Sequence, residues 1–366
     1  MLLRRFPSIL NAGHQRGWSL TLSTVQASPQ YLLRKSTVAG RAIHQSIPAR
    51  AGALTLAPLP HRGFVRVHGP ESVGFLQGLL TNDMRHFEHC SAMYAMFLKA
   101  NGRVFCDTLI YKRTHEEAAT DHDYLLECDT SVAPRLEKHL KLYRLRKKVQ
   151  IEAVDASQYR LWVAFSEGVD EEEPLPTPSS DGQLQIFKDP RLPRLGFRVL
   201  VNGQADNEKQ LKKVFPEAVK AATTALPYTS FRYGLGVGEG NENLPDGKCF
   251  PLECNCDFLH GVSFHKGCYI GQELTARTYH TGVIRKRLMP LEFDTAPTPD
   301  QLPADAEIKN EEGSSVGKLR GFAGTRGLGL LRIEKVLQPG AKLTLNGFAC
   351  RTTKPFWWPK DSNARA

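Results

Sequence analysis

The chain has 366 residues, 41% of them hydrophobic, and a formal net charge of +10. That charge is not spread evenly: the first acidic residue is Glu71, and nine basic residues (Arg4, Arg5, Arg16, Arg34, Lys35, Arg41, Arg50, Arg62 and Arg66) precede it. Taking nine from 48 leaves 39 basic against 38 acidic residues, a near-neutral body without the excess of basic charge that nucleic-acid binding requires.

Residues 1–50 form an acid-free leader rich in Arg and Ser. Leu2, Phe6, Ile9 and Leu10 share one helical face, interrupted by Pro7. This is the composition of a mitochondrial transit peptide, with removal expected between Arg41 and Ala53. No later run reaches the roughly 18 apolar residues of a membrane span, so no membrane partner is expected. The remaining roughly 310 residues suffice for two or three packed units. Eight cysteines, at 90, 106, 128, 249, 254, 256, 268 and 350, are expected to stay reduced in the mitochondrial matrix.

Phe64–His68 alternates like a strand, and Pro70-Glu71 opens a helix carrying Val73, Phe75, Leu76, Leu79 and Leu80. The helix stops at Thr81-Asn82-Asp83. Strands Met93–Leu98 and Val104–Tyr111 follow, joined through the hairpin signal Asn101-Gly102. A strand at Tyr124–Glu127 precedes a helix from Asp129 to about Arg146, whose far end collects Lys and Arg as a helix C-terminus favours. This order predicts a first α+β unit over 53–155, of ferredoxin-like type. Strands Arg160–Phe165, Gln183–Lys188 and Phe197–Val201, with a helix over Asn207–Phe215, begin a second unit over 156–282. Between the first two of these strands, the acidic and Pro-rich stretch Glu167–Asp181 reads as a solvated loop. From 283 to 358 the pattern is all-β (Leu288–Phe293, Val316–Phe322, Leu328–Val336, Lys342–Leu345, Phe348–Thr352), predicting a small C-terminal barrel.

The chemistry concentrates in Lys266-Gly267-Cys268-Tyr269-Ile270-Gly271-Gln272-Glu273. A lysine two residues before the cysteine and a helix beginning just after it both favour thiolate over thiol. The alternative is a small buried residue in a tight turn. Cys249, Cys254 and Cys256 miss the spacings of zinc and ferredoxin sites. The glycine run Gly234–Gly240 fails as a dinucleotide fingerprint, because Glu239 takes the third glycine's place. Phe356-Trp357-Trp358 reads as aromatic closure of the last barrel strand.

The eight-residue stretch resembles the signature of the YgfZ branch of the folate-binding aminomethyltransferase (glycine-cleavage T-protein) superfamily. Phe75-Leu76-Gln77-Gly78-Leu79-Leu80-Thr81-Asn82-Asp83 resembles that family's N-terminal helix and its stop. Pro251-Leu252-Glu253 resembles the element whose glutamate meets the pteridine. The resemblance covers about residues 55–358. It implies a disc of two α+β units around a central channel, plus the barrel. With the leader, it implies a mitochondrial matrix factor for late maturation of four-iron clusters, acting with A-type carriers on enzymes such as aconitase and lipoate synthase, with an indirect link to haem biosynthesis. Asp107, Glu253 and Tyr269 are the implied tetrahydrofolate contacts. Cys268 is the implied functional thiol, with Lys266 as its cationic neighbour, and the implied ligand of a transient iron–sulfur cluster shared with a partner.

One departure bears on catalysis. Aminomethyltransferases carry Gly-Gly-Ile-x-Asp-Asp where this chain has Gly102-Arg103-Val104-Phe105-Cys106-Asp107, so one carboxylate of the pair is absent. Asp107 reads equally as a pterin contact or as an acid at a strand edge. The assembly-factor reading therefore leads, ahead of a folate-dependent one-carbon transferase and of a pterin-binding module without thiol chemistry. The other seven cysteines are expected to be replaceable, with Ser at 254 and 256 nearly silent.

Overall fold

The computed structural model describes residues 54–113, 122–168, 184–203, 211, 214–215 and 220–360. The leader, the core of the 167–181 loop and most of the expected 207–215 helix lie outside these residues. Strands β2 (Arg62–His68), β3 (Ala92–Leu98), β4 (Val104–Arg113), β5 (Asp123–Asp129) and β6 (Gln150–Val154) form a first sheet in the order β3-β4-β5-β2-β6. Strands β1 (Thr55–Pro58), β7 (Tyr159–Phe165), β8 (Leu184–Lys188), β9 (Phe197–Asn202) and β10 (Lys220–Ala221) form a second, in the order β10-β1-β7-β9-β8. The C-terminal part closes as a six-stranded barrel of β11 (Lys286–Phe293), β12 (Glu307–Asn310), β13 (Ser315–Ala323), β14 (Arg326–Arg332), β15 (Leu343–Leu345) and β16 (Phe348–Arg351). Two α+β sheets followed by a barrel is the expected fold class.

All seven residues of β3 are buried, so the strand shows no polar alternation. The reason is cover on both faces. Tyr94, Met96 and Leu98 enter a central core shared with the second sheet and with barrel residues Leu288, Leu328 and Leu330. Met93, Ala95 and Phe97 enter an outer core. There they meet α1 (Ser72–Gln77) and α2 (Ala133–Arg144) through Phe75, Leu76, Leu136 and Leu140.

Three local expectations need correction. Strand β1 lies within 53–155 yet pairs with β7 and β10, with Thr55 opposite Phe165 and Lys220, so it belongs to the second sheet. Four residues ending in Pro58 are too short for a periodic signal. Asp129 does not cap α2: its carboxylate takes the Ser131 hydroxyl and the Ser131 and Asn241 N–H groups, and the helix begins at Ala133. The strand expected over Leu328–Val336 stops at Arg332 and gives way to a single helical turn, Ile333–Val336.

The segment between second sheet and barrel contains α3 (Leu226–Gly234), α4 (Gly240–Asn243), consecutive turns from Pro251 to His260, and α5 (Gln272–Thr281). Its glycine run serves close packing. Gly240 has φ +74°, and a Cβ there would sit 2.9 Å from an Asp129 carboxylate oxygen.

Candidate functional site

The stop that follows α1 is a set of stitches. Thr81 donates its hydroxyl to the Gly261 carbonyl (2.6 Å) and accepts the Met96 N–H (2.9 Å). The Asn82 amide donates to the carbonyls of Tyr94 and His260, both at 2.8 Å. The Ser263 N–H closes on the Thr81 carbonyl. Asp83 accepts from the Arg85 backbone, the Arg85 guanidinium and Gln77; the Arg85 hydrogen bonds foremost hold its carboxyl well below the usual range. Strand β3, the end of α1 and residues 260–263 are thereby fixed to one another.

That frame receives the eight-residue stretch. The Lys266 ammonium donates to the carbonyls of Gln77 (2.7 Å), Leu80 (2.6 Å) and Asn82 (2.8 Å) and lies 4.9 Å from the Tyr269 ring centroid. These carbonyls belong to the exit of α1, where a cation is favoured. Burial pulls the Lys266 pKa down to about 8, with Asp83 opposing. The Ile270 N–H donates to the Gly78 carbonyl, and the Gln272 side chain accepts the Tyr269 N–H. Gly271 (φ +79°) packs on the β3–β4 hairpin, where a Cβ would strike the Lys99 carbonyl oxygen.

Cys268 sits within this fastened loop and is exposed. A Cβ at the neighbouring Gly267 would meet nothing within 4 Å, so the loop faces open space there too. All three N–H groups of Lys266 are committed to the exit of α1, so none donates to the thiol. Cys268 also lies ahead of the left-handed N-cap Gly271 and not on the first turn of α5.

Six of the other seven cysteines are buried. Cys254 is pushed up by its hydrogen bond with Cys249 and then by burial; burial pushes up Cys256 and Cys106 as well. These three lie in the core, where burial disfavours the thiolate. Cys90 is exposed, but partial burial of its sulfur still raises its pKa. Among the described residues no three His, Cys, Asp or Glu side chains come together as a metal-binding group. Cys268 is therefore the exposed sulfur of this loop, apart from the core thiols.

Asp107 and Glu253 stand in different surroundings. Asp107 is fully enclosed, with its carboxylate on the Arg62 guanidinium (3.2 Å) and the Gly240 N–H (3.0 Å). Arg62 also holds Glu127 at 2.7 Å, and Glu127 accepts from the Tyr111 hydroxyl. The network continues through Arg198 and Glu239 to Arg191 and Asp189, all buried. The signal of this network in the sequence is isolated charge in apolar strands, Glu127 in β5 and Arg198 in β9, which the strand pattern alone does not connect.

Glu253 is half-buried and accepts the Phe250 N–H at 3.2 Å; burial raises its pKa. It lines a cavity of about 520 Å³ with Phe250, Leu274, Thr278, Ile284 and Lys286. The cavity is mainly apolar, with Glu253 as its one carboxylate and Arg285 and Lys286 as its cations. Asp107 and Tyr269 do not line it. Tyr269 packs instead against the central core beside Lys266.

Comparison with known proteins agrees with this architecture. Residues 285–360 match the CAF17 C-terminal beta-barrel domain. The chain is 37% identical over 332 residues to the human "Iron-sulfur cluster assembly factor IBA57, mitochondrial", covering 85% of this chain and 87% of that protein. It is 31% identical to the homologue from Mycosarcoma maydis, covering 90% and 93% of the two chains. Among solved structures, the glycine cleavage system aminomethyltransferase T from Bartonella henselae superposes with a TM-score of 0.64 over 84% of this chain and 87% of its own. At 14% identity, that likeness concerns the fold alone.

Proposed function

The chain belongs to the IBA57 family of iron–sulfur cluster assembly factors, and from that premise we propose that Cys268 lends one thiolate to a cluster otherwise held by an A-type carrier. The observation that carries this reading is the loop itself: an exposed sulfur on a backbone fastened at Lys266, Ile270 and Gly271, with open space at Gly267. On docking, the thiol proton goes to solvent, the sulfur bonds iron, and a ligand of the carrier leaves. A rigid loop reduces the ordering cost of forming the shared site. The setting is the mitochondrial matrix, and the recipients are four-iron enzymes such as aconitase and lipoate synthase.

Anaerobic titration of a cluster-loaded A-type carrier tests this. Native chain is expected to shift the carrier's visible absorption, and Cys268→Ala to leave it unchanged. Equal shifts with both chains would remove Cys268 from the cluster. Cys90→Ser is the control for the second exposed thiol and is expected to behave as native.

Tetrahydrofolate is the second element of the proposal, and Glu253 is its anchor. Bound there, a reduced folate would supply a one-carbon carrier, while Glu253 would meet the pterin and Lys286 the anionic tail. A ligand held only by the folded chain raises the melting temperature by mass action. Tetrahydrofolate is expected to do so for the native chain and not for Glu253→Ala; no shift in either would leave the cavity without this ligand. A one-carbon transferase has less support, because Cys106 is buried and Asp107 is committed to Arg62.

A further inference from the structure

Residues 138–148 (Lys-His-Leu-Lys-Leu-Tyr-Arg-Leu-Arg-Lys-Lys) hold six cations and no acid. Basic residues at the end of α2 suit its dipole, and the Tyr143 ring packs 4.8 Å from that of His139, but neither reason accounts for Leu142 and Leu145. Leu142 is 69% exposed, Tyr143 38% and Leu145 84%. Leu136 and Leu140, on the other side of α2, are fully buried and fasten it to the first sheet.

This corner is a built turn and not a frayed end. Leu145 takes φ +50°, an uncommon value for a branched residue. The Lys147 N–H closes on the Arg144 carbonyl at 3.0 Å. The Lys148 N–H donates to the Glu71 carboxylate at 2.6 Å, and Val149 is buried behind it. Gly69 (φ +119°) lies so close that a Cβ would sit 2.7 Å from the Lys148 carbonyl oxygen. Nearby acids are already engaged, Glu71 with that N–H and Glu137 with Lys141. Among the described residues no ion pair engages Lys138, Arg144, Arg146, Lys147 or Lys148.

We propose that this corner is a peripheral contact for an anionic bilayer surface, with Leu142 and Leu145 entering the headgroup layer and the surrounding Lys and Arg meeting lipid phosphates. No helix among the described residues is long and apolar enough to cross a membrane. A surface contact needs no span, so the expectation of no membrane partner is revised here to no spanning segment. An acidic protein is the competing occupant, and two observations favour lipid. Side chains exposed as far as Leu142 and Leu145 would need a matching socket on a protein, whereas a headgroup layer yields around them. Four of the six cations are lysines, point charges suited to a diffuse surface potential more than to bidentate carboxylate pairing.

Vesicle flotation of the full chain tests the proposal, using phosphatidylcholine alone and phosphatidylcholine mixed with phosphatidylglycerol. The basic leader is common to all chains compared. Native chain is expected to float only with the anionic vesicles and to be released by salt. Two exposed-surface variants, Arg146→Glu with Lys147→Glu and Leu142→Asp with Leu145→Asp, are each expected to lose about tenfold or more in partitioning with unchanged melting temperature. Native-level flotation by either variant overturns the proposal. So does a native chain that ignores both vesicles, which would hand the corner to an acidic protein.

Discussion

The ammonium of Lys266 lies 2.6 Å from the carbonyl oxygen of Leu80, joining residues 186 positions apart. The two stretches that carry the family signature are thus one physical object, and the exit of α1 is one of two anchors of the cysteine loop, the other being Gly271 on the β3–β4 hairpin. Lys266→Met removes all three bonds, whereas Lys266→Arg keeps a cation with a different reach. Amide exchange at Ile270, whose N–H is bonded to Gly78, is expected to accelerate by about tenfold or more in Lys266→Met. Unchanged protection would show that the loop is held by Gly271 packing alone.

Lys266 also gives a pH signature. Burial sets its pKa at about 8, against an ordinary value of 10.5. Between those values the unfolded chain binds a proton that the folded chain does not, so this group stabilises folding increasingly as pH rises through that window. The difference in melting temperature between native chain and Lys266→Met is expected to move in the native chain's favour from pH 8 towards pH 10.5. A difference independent of pH would refute the lowered pKa.

Removing the carboxylate of Asp107 leaves Arg62 half-paired in the interior. Asp107→Ala is expected to cost about 3–5 kcal/mol in chemical denaturation, as stranded buried charges do. A loss under about 1 kcal/mol would mean that water reaches Arg62 and that Asp107 is free for a ligand.

Serine separates the roles of the cysteines. Cys268→Ser is expected to leave stability within about 0.5 kcal/mol and to abolish rescue of aconitase activity in cells lacking the protein. Cys256→Ser places a hydroxyl in the central core and is expected to cost about 1–3 kcal/mol while retaining rescue whenever the protein accumulates. It is therefore silent for function but not for stability, a distinction that spacing along the chain does not reveal. Full rescue by Cys268→Ser would end the thiol role.

Gly271→Ala tests the packing of the loop on the hairpin. With φ +79° and a backbone oxygen where the methyl would go, it is expected to cost about 1–3 kcal/mol or to displace Cys268. Near-native stability together with unchanged reactivity towards a thiol reagent would show that the hairpin gives way.

Much of this was readable from local signals. Asn101-Gly102 announced the hairpin, and Gly271 opened the helix after Cys268, because turn chemistry is set by neighbouring residues. The partner of Lys266 was hidden, since a lysine beside a cysteine looks the same in sequence whether it faces the sulfur or a distant helix end. Asp107 was hidden likewise: its commitment depends on Arg62 and Gly240, and no spacing rule links positions 62, 107 and 240. Trp357 and Trp358 were placed correctly near the barrel but for another reason. They follow β16, Trp358 packing on Phe258 and Trp357 donating to the Leu235 carbonyl, and so tie the barrel to the rest.

The placement of β1 ties the two sheets into one covalent and hydrogen-bonded unit. Thr55–Pro58 emerges before every strand of the first sheet, yet its partners are β7 and, at its other edge, β10. Its two edges are filled by strands that lie about 100 and 165 residues further on in the chain, with the whole first sheet in between. A chain cut between residues 155 and 156 would strand β1 on the wrong fragment, leaving an open edge on β7 exposed to strand addition by another chain. The two sheets are thus coupled along the chain through β1, which joins the second although it precedes every strand of the first.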